Sequence, residues 1–186
     1  MSISPDALTT LPKAKDFLRI DPSIIEHDTF IETLIDSCSE QIERACRRKF
    51  KARDLVKKFK SDIPHFNLDF PMVSLSELKV DNSILVADDY LIDLELGTVE
   101  VLAEFNWAEP LIVEVNYRAG FEAIPKSLDN ACQELVTYKY KLSREDRVGL
   151  DSKSIADASA SFLTDGTLPT VAEVINLYRR QKVVSV

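Results

Sequence analysis

A chain of 186 residues, 45% of them hydrophobic, can bury a core as one domain or as one domain that carries an inserted subdomain. Its net charge of −8 would repel nucleic-acid phosphates, which argues against DNA binding through a general basic face. The sequence has no run of about 18 apolar residues and does not begin with a basic and then an apolar segment, so we expect cytoplasmic synthesis and no membrane association.

Two helices are predicted in the N-terminal part of the chain. Thr10 and Pro12 are typical of a helix start and predict a short first helix. The residues expected on its buried face are Leu11, Ala14, Phe17 and Leu18. A longer helix is predicted to begin at a capping box formed by Thr29 and Glu32. Its apolar residues recur at helical spacing until it ends near Arg48.

The last turn of the second helix is rich in cations, namely Arg44, Arg47, Arg48 and Lys49. Positive charge is favourable at the C-terminal end of a helix dipole, so one interpretation is a solvated helix end. The alternative is a basic patch at the end of the helix at residues 28–49, which would make the chain a DNA-binding packaging or regulatory protein. Contacts between subunits could also use Arg47 and Arg48.

From about residue 55 to residue 117 the apolar pattern changes to a period of two, which predicts β-structure. Candidate strands lie at residues 56–60, 65–69, 77–80, 84–86, 90–94, 98–102 and 111–117. Because helical patterns flank this segment, the sequence predicts an α+β fold, a small α-helical bundle with an inserted antiparallel β subdomain. The expected domains are residues 1–52 with the N-terminal helices, 53–118 with the β subdomain, and 119–186, which complete the bundle.

A third helix organises the rest of the chain. Pro125 suits its first turn, and the helix is predicted to end near Arg144. Apolar residues recur along it at three- and four-residue steps, including Leu128, Cys132, Leu135 and Val136. The second and third helices are therefore expected to pack together, because neither has another apolar partner of comparable length.

The segment after Gly149 has a different pattern. Small apolar residues alternate with polar ones, which predicts an extended arm at residues 151–162. At roughly 25 cal/mol per Å² such small side chains cannot hold the arm folded by themselves, so we expect it to lie against a neighbouring subunit. The candidate subunit-interface residues are Ser154, Ile155, Asp157, Ser159, Ser161 and Phe162 in the arm, with Arg47 and Arg48.

A last short helix is predicted to begin at Pro169, after a break at Gly166. The residues expected to face inward are Val171, Val174, Ile175 and Tyr178. The valines that follow have no evident place in a monomer, which indicates a tail that inserts into a partner. Two alternatives are that the helix completes the subunit's own core and that the tail is a frayed end.

Sequence patterns for catalysis are absent. There is no zinc-type Cys/His spacing, Gly-rich phosphate loop, nucleophile elbow or EF-hand. We therefore expect no enzyme activity, no cofactor and no metal, although a hydrolase site formed only between subunits is a further alternative. Cys38, Cys46 and Cys132 lie on predicted helices and are expected to be reduced core thiols.

The order of these motifs resembles the head-tail connector (adaptor, or head-completion) proteins of long-tailed bacteriophages and prophages. The resemblance rests on Lys15-x-Phe17-Leu18-Arg19-Ile20-Asp21, on Tyr117-Arg118-Ala119-Gly120-Phe121, on Gly149-Leu150-x-Ser152-x-Ser154-Ile155, and on a final helix that ends in Tyr178-Arg179-Arg180. Asp81-Asn82 stands where the family commonly has Asp-Gly, and Ala156 where relatives usually carry Gly. The likeness covers most of the chain.

The resemblance implies a virion protein that is made in the host bacterial cytoplasm and assembles as a ring of about twelve copies in the neck, between capsid and tail. Such a ring docks beneath the portal protein, extends the DNA channel and offers a platform for a stopper or tail-completion protein. Genomic DNA would pass an acidic lumen without specific binding. The candidate portal-binding residues are Tyr178, Arg179, Arg180, Val183, Val184 and Val186.

Overall fold

The computed structural model describes residues 3–144, 152–155, 158–161 and 168–179. The described residues divide into two compact units. The helical unit contains those up to Lys49 and those from Ile124 onward, and the β unit is Phe50–Ala123. The sequence-based boundaries after residues 52 and 118 differ from these by a few residues, and the division into domains stays a prediction.

Four helices form the helical unit: α1 (Leu11–Leu18), α2 (Asp28–Cys46), α3 (Lys126–Arg144) and α4 (Pro169–Tyr178). Helix α3 contacts each of the other three. The side chains buried between α2 and α3 include Ile35, Cys38, Leu128, Cys132 and Leu135. The predicted packing of the two long helices is therefore present.

Two details of the predicted helices are wrong. The ring of Phe17 was expected on the buried face of α1 but is 46% exposed. The capping box is also absent, because α2 begins at Asp28 after His27, whose side chain makes no capping hydrogen bond. Thr29 lies inside the helix, where its carbonyl oxygen accepts a hydrogen bond from the Thr33 hydroxyl at 2.9 Å.

Buried polar contacts connect the helices and the segment before them. The Ser39 hydroxyl of α2 accepts a hydrogen bond from the Leu8 N–H at 3.0 Å. The Asp129 carboxylate of α3 accepts hydrogen bonds from Lys13 of α1 and, within its own helix, from Gln133. Burial raises the pKa of Asp129, but the hydrogen bonds from Lys13 and Gln133 outweigh it and lower the pKa below its ordinary value.

The β unit contains seven antiparallel strands in two sheets. The strands are β1 (Arg53–Ser61), β2 (His65–Asn67), β3 (Met72–Val80), β4 (Ser83–Ile84), β5 (Tyr90–Asp93), β6 (Thr98–Val101) and β7 (Leu111–Ala119). One sheet has the order β1-β7-β3-β4 and the other β2-β6-β5. All seven predicted strands are present, and the α+β fold class is confirmed.

Alternate residues of these strands form the core of the β unit. The fully buried side chains of this core include Leu68, Leu78, Val80, Val99, Val113 and Val115. At its border the Tyr117 hydroxyl donates a hydrogen bond to Asp69 at 2.8 Å, and the Lys57 ammonium lies 2.9 Å from the same carboxylate oxygen. The Asp69 carboxylate, paired with Lys57, therefore lies at the border of the apolar core.

The described residues of the arm form two paired strands rather than one extended segment. Strands β8 (Ser152–Ile155) and β9 (Ala158–Ser161) pair antiparallel, with Ser154 opposite Ser159 and Ile155 opposite Ala158. The predicted strand structure is therefore present in the described part of the arm, but the two strands bond to each other. A two-stranded hairpin is marginally stable by itself in water.

Gly120 joins β7 to the segment that leads back to the helical unit. Its φ is +117°, and a Cβ atom there would lie 2.5 Å from the carbonyl oxygen of Lys51. The two chain segments approach closely because the Phe121 N–H donates to the Phe50 carbonyl at 2.7 Å and the Ala52 N–H donates to the Phe121 carbonyl at 3.0 Å. We call this close approach of residues 50–52 and 120–121 the crossing. Only glycine fits at position 120 of the crossing without a shift of the backbone.

We therefore predict that Gly120→Ala lowers the free energy of unfolding by more than about 1 kcal/mol, because the new methyl group meets backbone at an unfavourable φ. Chemical denaturation of the purified chain measures it. Ser83→Ala, on the exposed edge strand β4, is the control and should change stability by less than about 0.5 kcal/mol. Equal stability of the two variants would contradict this description of the crossing.

Candidate interaction surfaces

Helix α4 packs into the helical unit with one face. Val171 and Ile175 are buried, and the Cys46 thiol of α2 donates a hydrogen bond to the Ile175 carbonyl at 3.7 Å. Half-buried Tyr178 lies with its hydroxyl 2.9 Å from that of Ser127 on α3. This face of α4 therefore completes the core of its own subunit, as one of the sequence-based alternatives states.

The other face of α4 is open. Leu177 is 74% exposed, although leucine is usually buried in a helix of this kind, and Arg179 at the helix end is exposed as well. The remaining candidate portal-binding residues, Arg180, Val183, Val184 and Val186, lie outside the described residues. Sequence reasoning missed Leu177, which the helical spacing from Ile175 and Tyr178 places on the outer side.

The basic end of α2 has a defined backbone geometry. Arg47 adopts the left-handed conformation with φ 56° and ψ 37°, so that its N–H donates to the Arg44 carbonyl and the Arg48 N–H donates to the Glu43 carbonyl, both at 3.1 Å. These bonds satisfy carbonyl groups that a helix end otherwise leaves open. Arg47 is exposed and Arg48 is half-buried.

Two cations of this basic end are paired with carboxylates. Arg44 lies 2.8 Å from Glu40, and Lys49 lies 2.6 Å from the buried Glu43. Pairing reduces the positive potential that a phosphate backbone would meet. Nothing in the described geometry supports the DNA-binding alternative.

The arm residues of the predicted subunit interface are only partly described. Ser154 and Ile155 belong to β8, and Ser159 and Ser161 belong to β9. Asp157 and Phe162 lie outside the described residues. The structure brings the four described positions together in one hairpin and leaves their contact with a neighbour as a prediction.

Charge in the β unit is segregated, a feature that sequence reasoning missed. Strand β1 is rich in lysine, whereas exposed carboxylates flank β5 at Asp88 and Glu95. A count of charges within each predicted subdomain, rather than over the whole chain, would have found this signal.

The described residues offer no group of three or more His, Cys, Asp or Glu side chains that could hold a metal ion. The three cysteines are free and buried, and burial raises the pKa of Cys38 and Cys46 to about 11 and that of Cys132 to about 12. Such thiols are protonated near neutral pH, so they act as core side chains. Of the helices that the structure describes, none is long and apolar enough to cross a membrane.

A comparison with protein-family models finds one described as "HCP: Head completion protein", which matches residues 7–181. A comparison with curated proteins finds no match.

Among solved structures, similar chains occur in the neck of an empty gene transfer agent particle computed with C6 symmetry (17% identity, TM-score 0.62), in a native gene transfer agent virion (14%, 0.59), and in the neck of a native particle computed with C12 symmetry (15%, 0.57). Each comparison covers 100% of this chain and 96% of the other. At these identities the likeness shows a common fold.

The two faces of α4 should respond differently to truncation. Ile175→Ala removes a buried side chain and should cost about 2–5 kcal/mol of unfolding free energy. Leu177→Ala, its matched control on the open face, should change stability by less than about 0.5 kcal/mol. Denaturant titration distinguishes them, and an equal loss in both variants would show that Leu177 also packs in the monomer.

Proposed function

The chain belongs to the head completion protein family, and on this premise we propose that it is a structural virion protein that acts as a head-tail connector, or adaptor, in the neck of the particle. The observation that carries the proposal is the extent of the family match. It runs from residue 7 to residue 181 and so includes the described strands and helices of both units. In this role the protein connects other structural parts of the particle.

The connector assembles as a closed ring of about twelve copies. The necks of the structurally similar particles were computed with C6 and C12 symmetry, and a ring closes when the same contact repeats around a rotation axis. The ring extends the DNA channel below the portal protein and presents a platform for a stopper or tail-completion protein. A chain of net charge −8 suits a channel wall along which DNA moves without binding.

The ring attaches to the portal through the open face of α4 and the tail that follows it. Exposed Leu177 and Arg179 offer an apolar side chain and a guanidinium, and arginine is enriched among the residues that dominate interface energies. Tyr178 holds the helix end in place through its hydroxyl contact with Ser127. Arg180, Val183, Val184 and Val186, which follow in the sequence, complete the proposed set of portal-binding residues.

Removal of residues 182–186 tests the attachment. The truncated chain should remain folded with an unchanged melting temperature but should no longer join DNA-filled heads, because it lacks the three valines that bury apolar area on the portal. Cosedimentation with portal-bearing capsids measures occupancy.

A same-length variant with Val183, Val184 and Val186 replaced by serine serves as the control, and it should lose occupancy as the truncated chain does. Occupancy equal to the unmodified chain in both variants would show that the tail is not the anchor.

A further inference from the structure

The charge of the β unit is strongly polarised. Residues 50–123 contain seven Lys and Arg against fourteen Asp and Glu, a net charge of −7. Five of the seven cations lie within residues 51–60, and the rest of the unit has only Lys79 and Arg118 against thirteen carboxylates. One strand, β1, is therefore basic on an otherwise acidic unit.

Strand β1 is an edge strand. Within the β unit, all of whose residues are described, β7 is its only strand partner along nine residues. An edge strand carries a row of backbone N–H and C=O groups available to another strand. At the centre of β1 Val56 is 72% exposed, and exposed cations stand near its two ends at Arg53 and Lys60.

The other cations of the strand have partners in the same chain. Lys57 lies 2.9 Å from Asp69, and Lys58 lies 3.1 Å from Glu114. The one carboxylate of the strand, Asp54, is paired with Arg118 at 3.1 Å. Arg53 and Lys60 are therefore the exposed cations of β1 for which we expect contact with a partner.

Strand β5 is an edge of the other sheet and has the opposite charge. Leu91 at its centre is 57% exposed, with exposed Asp88 before the strand and exposed Glu95 after it. Asp88 belongs to the short 3-10 turn Ala87–Asp89 before the strand, and Glu95 lies in the turn that follows it. The Asp93 carboxylate is already hydrogen-bonded within the following turn, where it accepts hydrogen bonds from the N–H groups of Glu95 and Leu96, both at 2.9 Å.

We propose that β1 of one copy lies along β5 of the next copy, so that adjacent β units bind edge to edge around the ring. The proposal rests on the ring of the proposed function and names its contact. Each edge carries an exposed apolar side chain with exposed charges of one sign near its two ends, and the charges of the two edges are opposite. The partner that fits β1 is therefore a second copy of this chain.

The same charges decide the symmetry of the contact. Two β1 edges repel each other, and so do two β5 edges, so pairing of identical surfaces in a twofold dimer is disfavoured. Pairing of β1 with β5 uses different surfaces on the two copies, and contacts of this type repeat head to tail and form rings when the rotation closes. Arg53 and Lys60 of β1 thus disfavour the twofold dimer and favour the head-to-tail contact.

Charge reversal in two separate chains tests the contact. The first variant carries Arg53→Glu and Lys60→Glu, and the second carries Asp88→Lys and Glu95→Lys. Each should self-associate at least about tenfold more weakly than the unmodified chain, because both edges then have the same sign. An equimolar mixture should recover association, since every β1 edge again meets a β5 edge of opposite charge.

Sedimentation velocity and mass photometry at low ionic strength measure the assembly, and added salt should weaken it in the unmodified chain. The control carries Lys126→Glu and Asp16→Lys, two exposed positions of the helical unit, and should associate as the unmodified chain does. Circular dichroism checks that every variant melts at the same temperature.

Three results would overturn the inference: reversed variants that assemble like the control, a mixture no better than its components, or an unmodified chain that stays monomeric at the highest soluble concentration. None of them contradicts the proposed connector function, which is tested separately by occupancy on capsids. A chain that neither assembles nor joins capsids would overturn both.

Discussion

Burial of one face of α3 is the interaction on which the helical unit depends. Leu128, Cys132 and Leu135 lie on that face at less than 2% exposure, and α1, α2 and α4 all pack against the helix. The sequence separates α2 from α3 by the whole β unit, so the helical core forms only when distant parts of the chain meet. Closing such a loop costs entropy, which the buried apolar area must exceed.

This arrangement leaves each unit a separate task. The helical unit buries most of the inner face of α4, so an outer strip with Leu177 and Arg179 is available to a partner. The β unit carries nearly all of the net charge and has two unlike sheet edges. Under the proposed function, contact between copies uses the β unit and contact with the portal uses α4.

Much of the fold follows from periodicity, because spacing of three and four residues or of two residues reports directly on a buried face. This is why the four helices and seven strands were predictable. The start of α2 was not predictable from the sequence. Thr29 and Glu32 match the capping pattern, but the helix begins one residue earlier, at Asp28, directly after His27. The exposure of Phe17 and the pairing of β8 with β9 depend on which segments meet in space, information that a local pattern does not contain. Of the proposed surfaces, the sequence indicated Arg179. A charge count within the predicted β subdomain would have revealed the charge difference, but only the strand order shows that β1 and β5 are edge strands.

The central claim is that this chain forms the ring between capsid and tail. Cryo-electron microscopy of DNA-filled tailed particles from a host that produces the chain tests it most directly, with the neck reconstructed without imposed symmetry. We expect a closed ring directly below the portal, with density in each subunit for both the helical unit and the β unit. Particles whose neck density accommodates neither unit, or in which the chain is absent by mass spectrometry, would contradict it.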